Sequence, residues 1–219
     1  MKRLLFLFLI PILALAQNGE DELINPKELI PDLVIDLRYN ADDHKFLNLP
    51  DGDLDLPKFY TANECLVLLK AANELKVAQD TLRNIHAHNN KSYPDGIGIK
   101  IWDAYRPRAV QYLFWEIYPN GTYIANPNTG SKHNRGGAID LTLIDLSTGE
   151  ELQMPTEFDD FSDEASHNYN NLPAEALANR VLLKSIMTQV SNFNSYSAEW
   201  WHYEVIDASN YPLRDFQLK

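Results

Sequence analysis

Ser131-Lys132-His133-Asn134-Arg135-Gly136-Gly137-Ala138-Ile139-Asp140 sets an imidazole and a carboxylate seven positions apart with a glycine pair between them. Seven is an odd interval, so on an unbroken strand His133 and Asp140 would face opposite ways. Gly136 and Gly137 release the backbone from that alternation. His133 is then expected on a loop and Asp140 in the strand that follows, both aimed at one point. Along Ala138-Ile139-Asp140-Leu141-Thr142-Leu143, one face carries Ile139, Leu141 and Leu143 and the other carries Ala138, Asp140 and Thr142. The apolar face belongs to a core, so the Asp140 carboxylate is presented to a cleft. Together the two side chains form half of a metal site.

A third ligand is available near the end of the chain, in Glu199-Trp200-Trp201-His202-Tyr203. His, Asp and His leave one zinc position open for water, as catalysis requires and a closed structural site does not. Glu199 stands beside that position as the base for the water. Singly, a His or Asp in a secreted protein is more often a hydrogen-bonded surface or core group than a ligand; it is the two stretches together that point to a metal. On an extended strand Glu199 and His202 would face opposite ways, so one of them is expected at a bend.

SKHNRGGAID and EWWH resemble the paired zinc motifs SxHxxGxAxD and ExWH of the D-alanyl-D-alanine dipeptidases, the family that includes the vancomycin-resistance dipeptidases. Trp102-Asp103-Ala104-Tyr105-Arg106-Pro107 resembles that family's DGYRP segment, and Met154-Pro155-Thr156-Glu157-Phe158-Asp159 its MGTxFD segment. The resemblance implies zinc ligation by His133, Asp140 and His202, with Glu199 as general base and Arg106 as the cation facing the transition state. It also implies that Asp159 holds the substrate's free amino group, with Ser131 as a further substrate contact. Three positions depart from the pattern: Asn134 stands where Ser is common, Ala104 where Gly is usual, and Pro155 replaces the Gly of MGTxFD. None of these removes a ligand.

The activity so implied is zinc-dependent hydrolysis of D-alanyl-D-alanine, with one zinc ion per chain and a small dipeptide as partner. Two rivals share the residues. One is a carboxypeptidase trimming longer peptidoglycan stems in a more open cleft; the other is a zinc-bearing wall-binding module without catalysis. Acetylation of the dipeptide's amino group separates the two enzymes.

The 219-residue chain suffices for one substantial core. Residues 1–16 combine Lys2 and Arg3, an apolar run from Leu4 to Leu13 and an Ala14-Leu15-Ala16 ending, the pattern of a signal peptide. Residues 17–219 then form one domain, exported to the periplasm or beyond and not inserted in a membrane once the leader is removed. Without the leader the chain has 17 basic against 31 acidic residues, a balance that excludes nucleic acid and anionic lipid as partners. Cys65 is the sole cysteine and reads as a small buried hydrophobe.

The expected fold is α+β, a mostly antiparallel sheet carrying the zinc site with helices at its flanks, an arrangement taken partly from the resemblance. Periodicity predicts a strand at Leu33 to Tyr39 and a helix from Ala62 to about His86. A strand from Ile97 to Tyr105 follows, with Arg106 projected from its end by Pro107. A helix over Arg108 to Tyr118 should bury Ala109, Tyr112, Leu113 and Ile117, and one over Ala174 to Ser191 should bury Leu177, Val181, Ile186 and Val190. A last strand is expected from Trp201 to Ile206. Tyr39 reads first as a strand aromatic and second as a cleft residue. His86 and His88 read as solvated loop residues, His167 as structural, and Leu152 to Asn171 as a long acidic segment of which part lines the cleft.

Overall fold

The β-branched and aromatic residues concentrate in short runs, and these build a five-stranded sheet. The computed structural model describes residues 19, 21–40, 59–60 and 64–218, so the leader expected at residues 1–16 lies outside the described residues. In chain order the strands are β1 (Leu23–Ile24), β2 (Val34–Ile35), β3 (Val67–Leu68), β4 (Ala87–His88), β5 (Lys91–Ser92), β6 (Ile97–Asp103), β7 (Ala138–Asp145), β8 (Phe193–Ser195) and β9 (His202–Val205). The helices are α1 (Leu69–Leu82), α2 (Arg108–Ile117) and α3 (Ala174–Ser185). The main sheet runs β2-β6-β7-β9-β8. Only β2 and β6 pair in parallel there; the other neighbours are antiparallel, and the α+β expectation holds.

The central strands read as they pack. Ile99 lies opposite Leu143 and Ile101 opposite Leu141, and all four are fully buried. α1 brings Ala72, Leu75, Ala78 and Leu82 to this core at the predicted spacing. Its buried Gln79 accepts a hydrogen bond from the Ile99 amide at 2.9 Å, which satisfies β6 beyond the end of the two-residue β2. No helix among the described residues is long and apolar enough to cross a membrane.

Three helical readings need correction. α1 begins at Leu69 rather than Ala62, because Val67–Leu68 is a strand paired with β1. The Leu68 amide donates to the Gly136 carbonyl and the Tyr105 amide to the Leu66 carbonyl, so this backbone is engaged outside any helix. Cys65 therefore precedes the helix, although it is buried, and burial pushes its thiol pKa up. In α2 the inward side chains are Val110, Gln111 and Phe114, while Tyr112 and Leu113 are exposed. Phe114 fixes that face by packing edge-on against Tyr39 and Phe59, with ring centroids 4.9 and 4.6 Å away. α3 continues into a π-helical turn over Ile186–Val190, and its buried stripe runs one position out of step with Leu177 and Val181. Val181 and Val190 face solvent, whereas Ala176, Leu183, Ile186 and Met187 are buried.

The acidic segment from Leu152 is tied down by polar contacts to its backbone and side chains. Arg180 of α3 donates to the Ser166 and Tyr169 carbonyls, Asn179 to the Gln153 carbonyl, and the Trp200 indole to Thr156 Oγ1. Buried within the same segment, His167 has no hydrogen-bond partner for either ring nitrogen among the described residues. Burial, with Lys184 and Arg180 nearby, lowers its pKa to about 3. A group depressed in this way contributes stability fully above its unfolded pKa of about 6.5 and loses it as pH falls towards 3. For the metal-free protein, roughly 2–4 kcal/mol of the stability at pH 7 should be lost across that window. His167→Phe should show a smaller loss between pH 7 and pH 4 in urea unfolding; an unchanged loss would contradict this source.

Candidate active site

His133 occupies a one-turn 3-10 helix, His133–Arg135, closed by Gly136 with a left-handed backbone of φ 74°. A Cβ on Gly136 would meet the flexible Leu23 side chain at 2.3 Å, but it is the left-handed backbone that requires glycine there. The His133 Nδ1–H donates to the Ala104 carbonyl at 2.8 Å, which leaves the Nε2 lone pair free to point into the cleft. Asp140 lies in β7 directly opposite His202 of β9. Glu199 sits before β9 in a turn, the bend that brings it to the same side, with Oε2 3.8 Å from His202 Nδ1.

The three candidate ligands converge. His133 Nε2 is 3.2 Å from His202 Nδ1 and 3.5 Å from Asp140 Oδ1, and His202 Nδ1 is 3.0 Å from Asp140 Oδ1. Tetrahedral zinc with ligands about 2.0–2.1 Å away requires ligand atoms roughly 3.3 Å apart. The donor set and its spacing therefore fit the ion. Among the described residues this is the group of His, Cys, Asp and Glu within joint reach of one metal. His86 and His88 lie instead on the β4–β5 hairpin.

The electrostatics of the cluster favour an added positive charge. Burial opposes ionisation of Asp140, yet the two imidazoles hold its carboxyl below the usual range. Burial likewise opposes a charged His202, but Asp140, Glu204 and Glu199 push its pKa up to about 10. A field that retains a proton there would also retain a cation. Burial raises the Glu199 carboxyl to about 8, with the Asp140 charge acting in the same direction.

A cleft of about 230 Å³ opens on this cluster, and Arg106, Ser131, Asp159 and Glu199 all line it. Arg106 is buried with its guanidinium 4.4 Å from the Phe114 ring centre and 5.4 Å from that of Tyr39. Asp159, also buried, adopts a left-handed backbone of φ 58°, a conformation rare outside glycine and often found at functional positions. Its carboxylate accepts from the Tyr39 hydroxyl at 2.9 Å, and burial together with the Asp140 charge raises its pKa well above the ordinary value. The Ser131 hydroxyl accepts from the His133 amide at 3.2 Å, so it also braces the ligand turn.

Sequence reading placed Tyr39 first as a strand aromatic, whereas it lies in a 3-10 turn and lines the cleft. It missed Asp103 altogether. That carboxylate, fully buried, accepts from Tyr60 Oη at 3.0 Å and lies 3.2 Å from His133 Nδ1 and 3.4 Å from Arg106 Nε. One carboxylate thus lies within ion-pair distance of both a candidate ligand and the cleft's buried cation. The signal available was a carboxylate closing a strand whose other residues are apolar apart from Lys100. Asp103→Asn is expected to weaken metal binding by about 10–100-fold, measured by chelator competition; unchanged affinity would assign Asp103 to Arg106 alone.

A family model described as D-ala-D-ala dipeptidase matches residues 19–218. The chain is 34% identical over 197 residues to the D-alanyl-D-alanine dipeptidase of Escherichia coli (strain K12), covering 88% of this chain and 89% of that protein. It is 40% identical over 145 residues to the D-alanyl-D-alanine dipeptidase of Enterococcus faecium, covering 57% of this chain and 70% of that one. The enzyme of the same name from Enterococcus faecalis is 40% identical over 134 residues, 51% of this chain and 64% of that one.

Proposed function

Because the chain belongs to the D-ala-D-ala dipeptidase family of metallopeptidases, we propose that it hydrolyses D-alanyl-D-alanine at a zinc ion held by His133, Asp140 and His202. The observation that carries this reading is the convergence of three ligand atoms at tetrahedral spacing with the Glu199 carboxylate beside them. Zinc, when bound, supplies Lewis-acid polarisation of the peptide carbonyl and lowers the pKa of water towards roughly 7.

The chain's own residues complete the chemistry. Glu199 takes the proton from the attacking water and returns it to the departing amine. Arg106, held by Asp103 and two aromatic faces, is a fixed cation for the oxyanion that develops on the carbonyl oxygen. Asp159 receives the substrate ammonium. An arriving cation offsets the burial and the Asp140 repulsion that otherwise favour the protonated acid, so the Asp159 carboxylate forms as substrate binds. Tyr39 fixes that carboxylate through its hydroxyl.

Restriction to dipeptides follows from the buried Asp159, because a substrate without a free ammonium leaves that group unpaired. N-acetylation of D-alanyl-D-alanine should lower kcat/KM by at least about a hundredfold. Equal cleavage of both substrates, followed as released D-alanine, would instead favour a carboxypeptidase acting on longer stems. The proposal extends to export, supported by the leader-like pattern of residues 1–16.

A further inference from the structure

A guanidinium and an amine side chain line the cleft, those of Arg106 and Lys132, and they lie at different depths. Arg106 shares the interior with Tyr39 and Asp159, all three at most 6% exposed. Lys132 has a side chain 40% exposed, with Nζ 3.5 Å from Glu204 Oε2. Glu204 in turn lies 3.8 Å from His202 Nε2, on the side of the imidazole opposite the Nδ1 that faces Asp140. The half-exposed Tyr196 ring packs edge-on against the same imidazole. On the cleft wall, then, Asp159 is buried whereas Lys132 lies at the solvent-exposed rim, joined to the outer edge of His202 through Glu204.

We propose that Lys132 is the subsite for the substrate's C-terminal carboxylate and so a determinant of specificity for free dipeptide acids, an inference that rests on the dipeptidase reading above. A free dipeptide carries a positive and a negative end, separated by roughly two residue lengths of about 3.5 Å each. With the ammonium at Asp159 and the scissile carbonyl at the ligand cluster, the carboxylate points towards the mouth. Arg106 is already assigned to the oxyanion and is enclosed between Phe114, Tyr39 and Asp103. Lys132 offers three donors, and at 3.5 Å Glu204 holds the ammonium over the mouth while leaving donors for a second carboxylate. Glu204 also sharpens the discrimination, because without the lysine its charge faces the substrate carboxylate and repels it.

The test compares D-alanyl-D-alanine with its C-terminal amide in the zinc-loaded wild-type, Lys132→Met and Lys132→Arg proteins, reading released D-alanine and zinc content. The wild type should bind the acid better than the amide by about three- to tenfold in KM, the range of a part-exposed charge pair. Lys132→Met should raise KM for the acid by a similar factor with kcat within about twofold, the pattern of a lost binding contact. In that variant the preference for acid over amide should vanish or invert, and Lys132→Arg should restore it. If Lys132→Met keeps the wild-type preference, the carboxylate is read elsewhere and the inference fails while the dipeptidase reading stands. If the wild type cleaves neither compound, the dipeptidase reading fails and this subsite with it.

Discussion

Glu199→Ala is expected to lower kcat by about 10³-fold or more while zinc content stays near one per chain. General acid and base roles typically contribute about 10²–10⁴-fold, and Glu199 is assigned both proton transfers. The ligand atoms come from His133, Asp140 and His202, so removing Glu199 leaves the metal cage intact. Parallel measurement of zinc by atomic absorption and of kcat on D-alanyl-D-alanine separates the two functions. Full turnover with full zinc would remove Glu199 from the chemistry, and loss of zinc with turnover would recast it as a ligand.

Asp140→Ala should have the other large effect, because it strikes the metal and stability together. Asp140 Oδ1 is the anion that His133 and His202 share, and two neutral imidazoles alone make a weak site. A ligand at a thousand times its Kd stabilises a fold by about 4 kcal/mol. For a domain of this size that is a rise in Tm of roughly 8–16 °C. The wild type should show a zinc-dependent rise of that order and Asp140→Ala almost none, with no measurable hydrolysis. A variant that keeps the zinc-dependent rise would show that the ion binds elsewhere.

The sequence revealed more of the site's members than of their surroundings, for physical reasons. The glycine pair and the alternation of Ala138 to Leu143 are local, so the loop position of His133 and the exposure of Asp140 to a cleft were legible. The pairing of Asp140 with His202 across β7 and β9 joins residues 62 positions apart and has no local signature. The inward face of α2 was misread because an aromatic cluster with Tyr39 and Phe59 selects Phe114, and neither partner is near it in sequence. On α3 the buried stripe runs through Ala176, Asn179, Arg180 and Leu183, so small and polar residues cover part of it and apolar character alone pointed to Leu177 and Val181. Asp103 was passed over because two of its three partners, Tyr60 and His133, are distant in sequence and reach it only by folding.

The central claim is tested most directly by following free D-alanine released from D-alanyl-D-alanine by one preparation of purified protein in three states: as isolated, after chelation and dialysis, and after zinc is restored. The account predicts release, its loss on chelation, and recovery with about one zinc per chain. Release that persists undiminished in protein shown to be free of metal, or none from protein fully loaded with zinc, would contradict it.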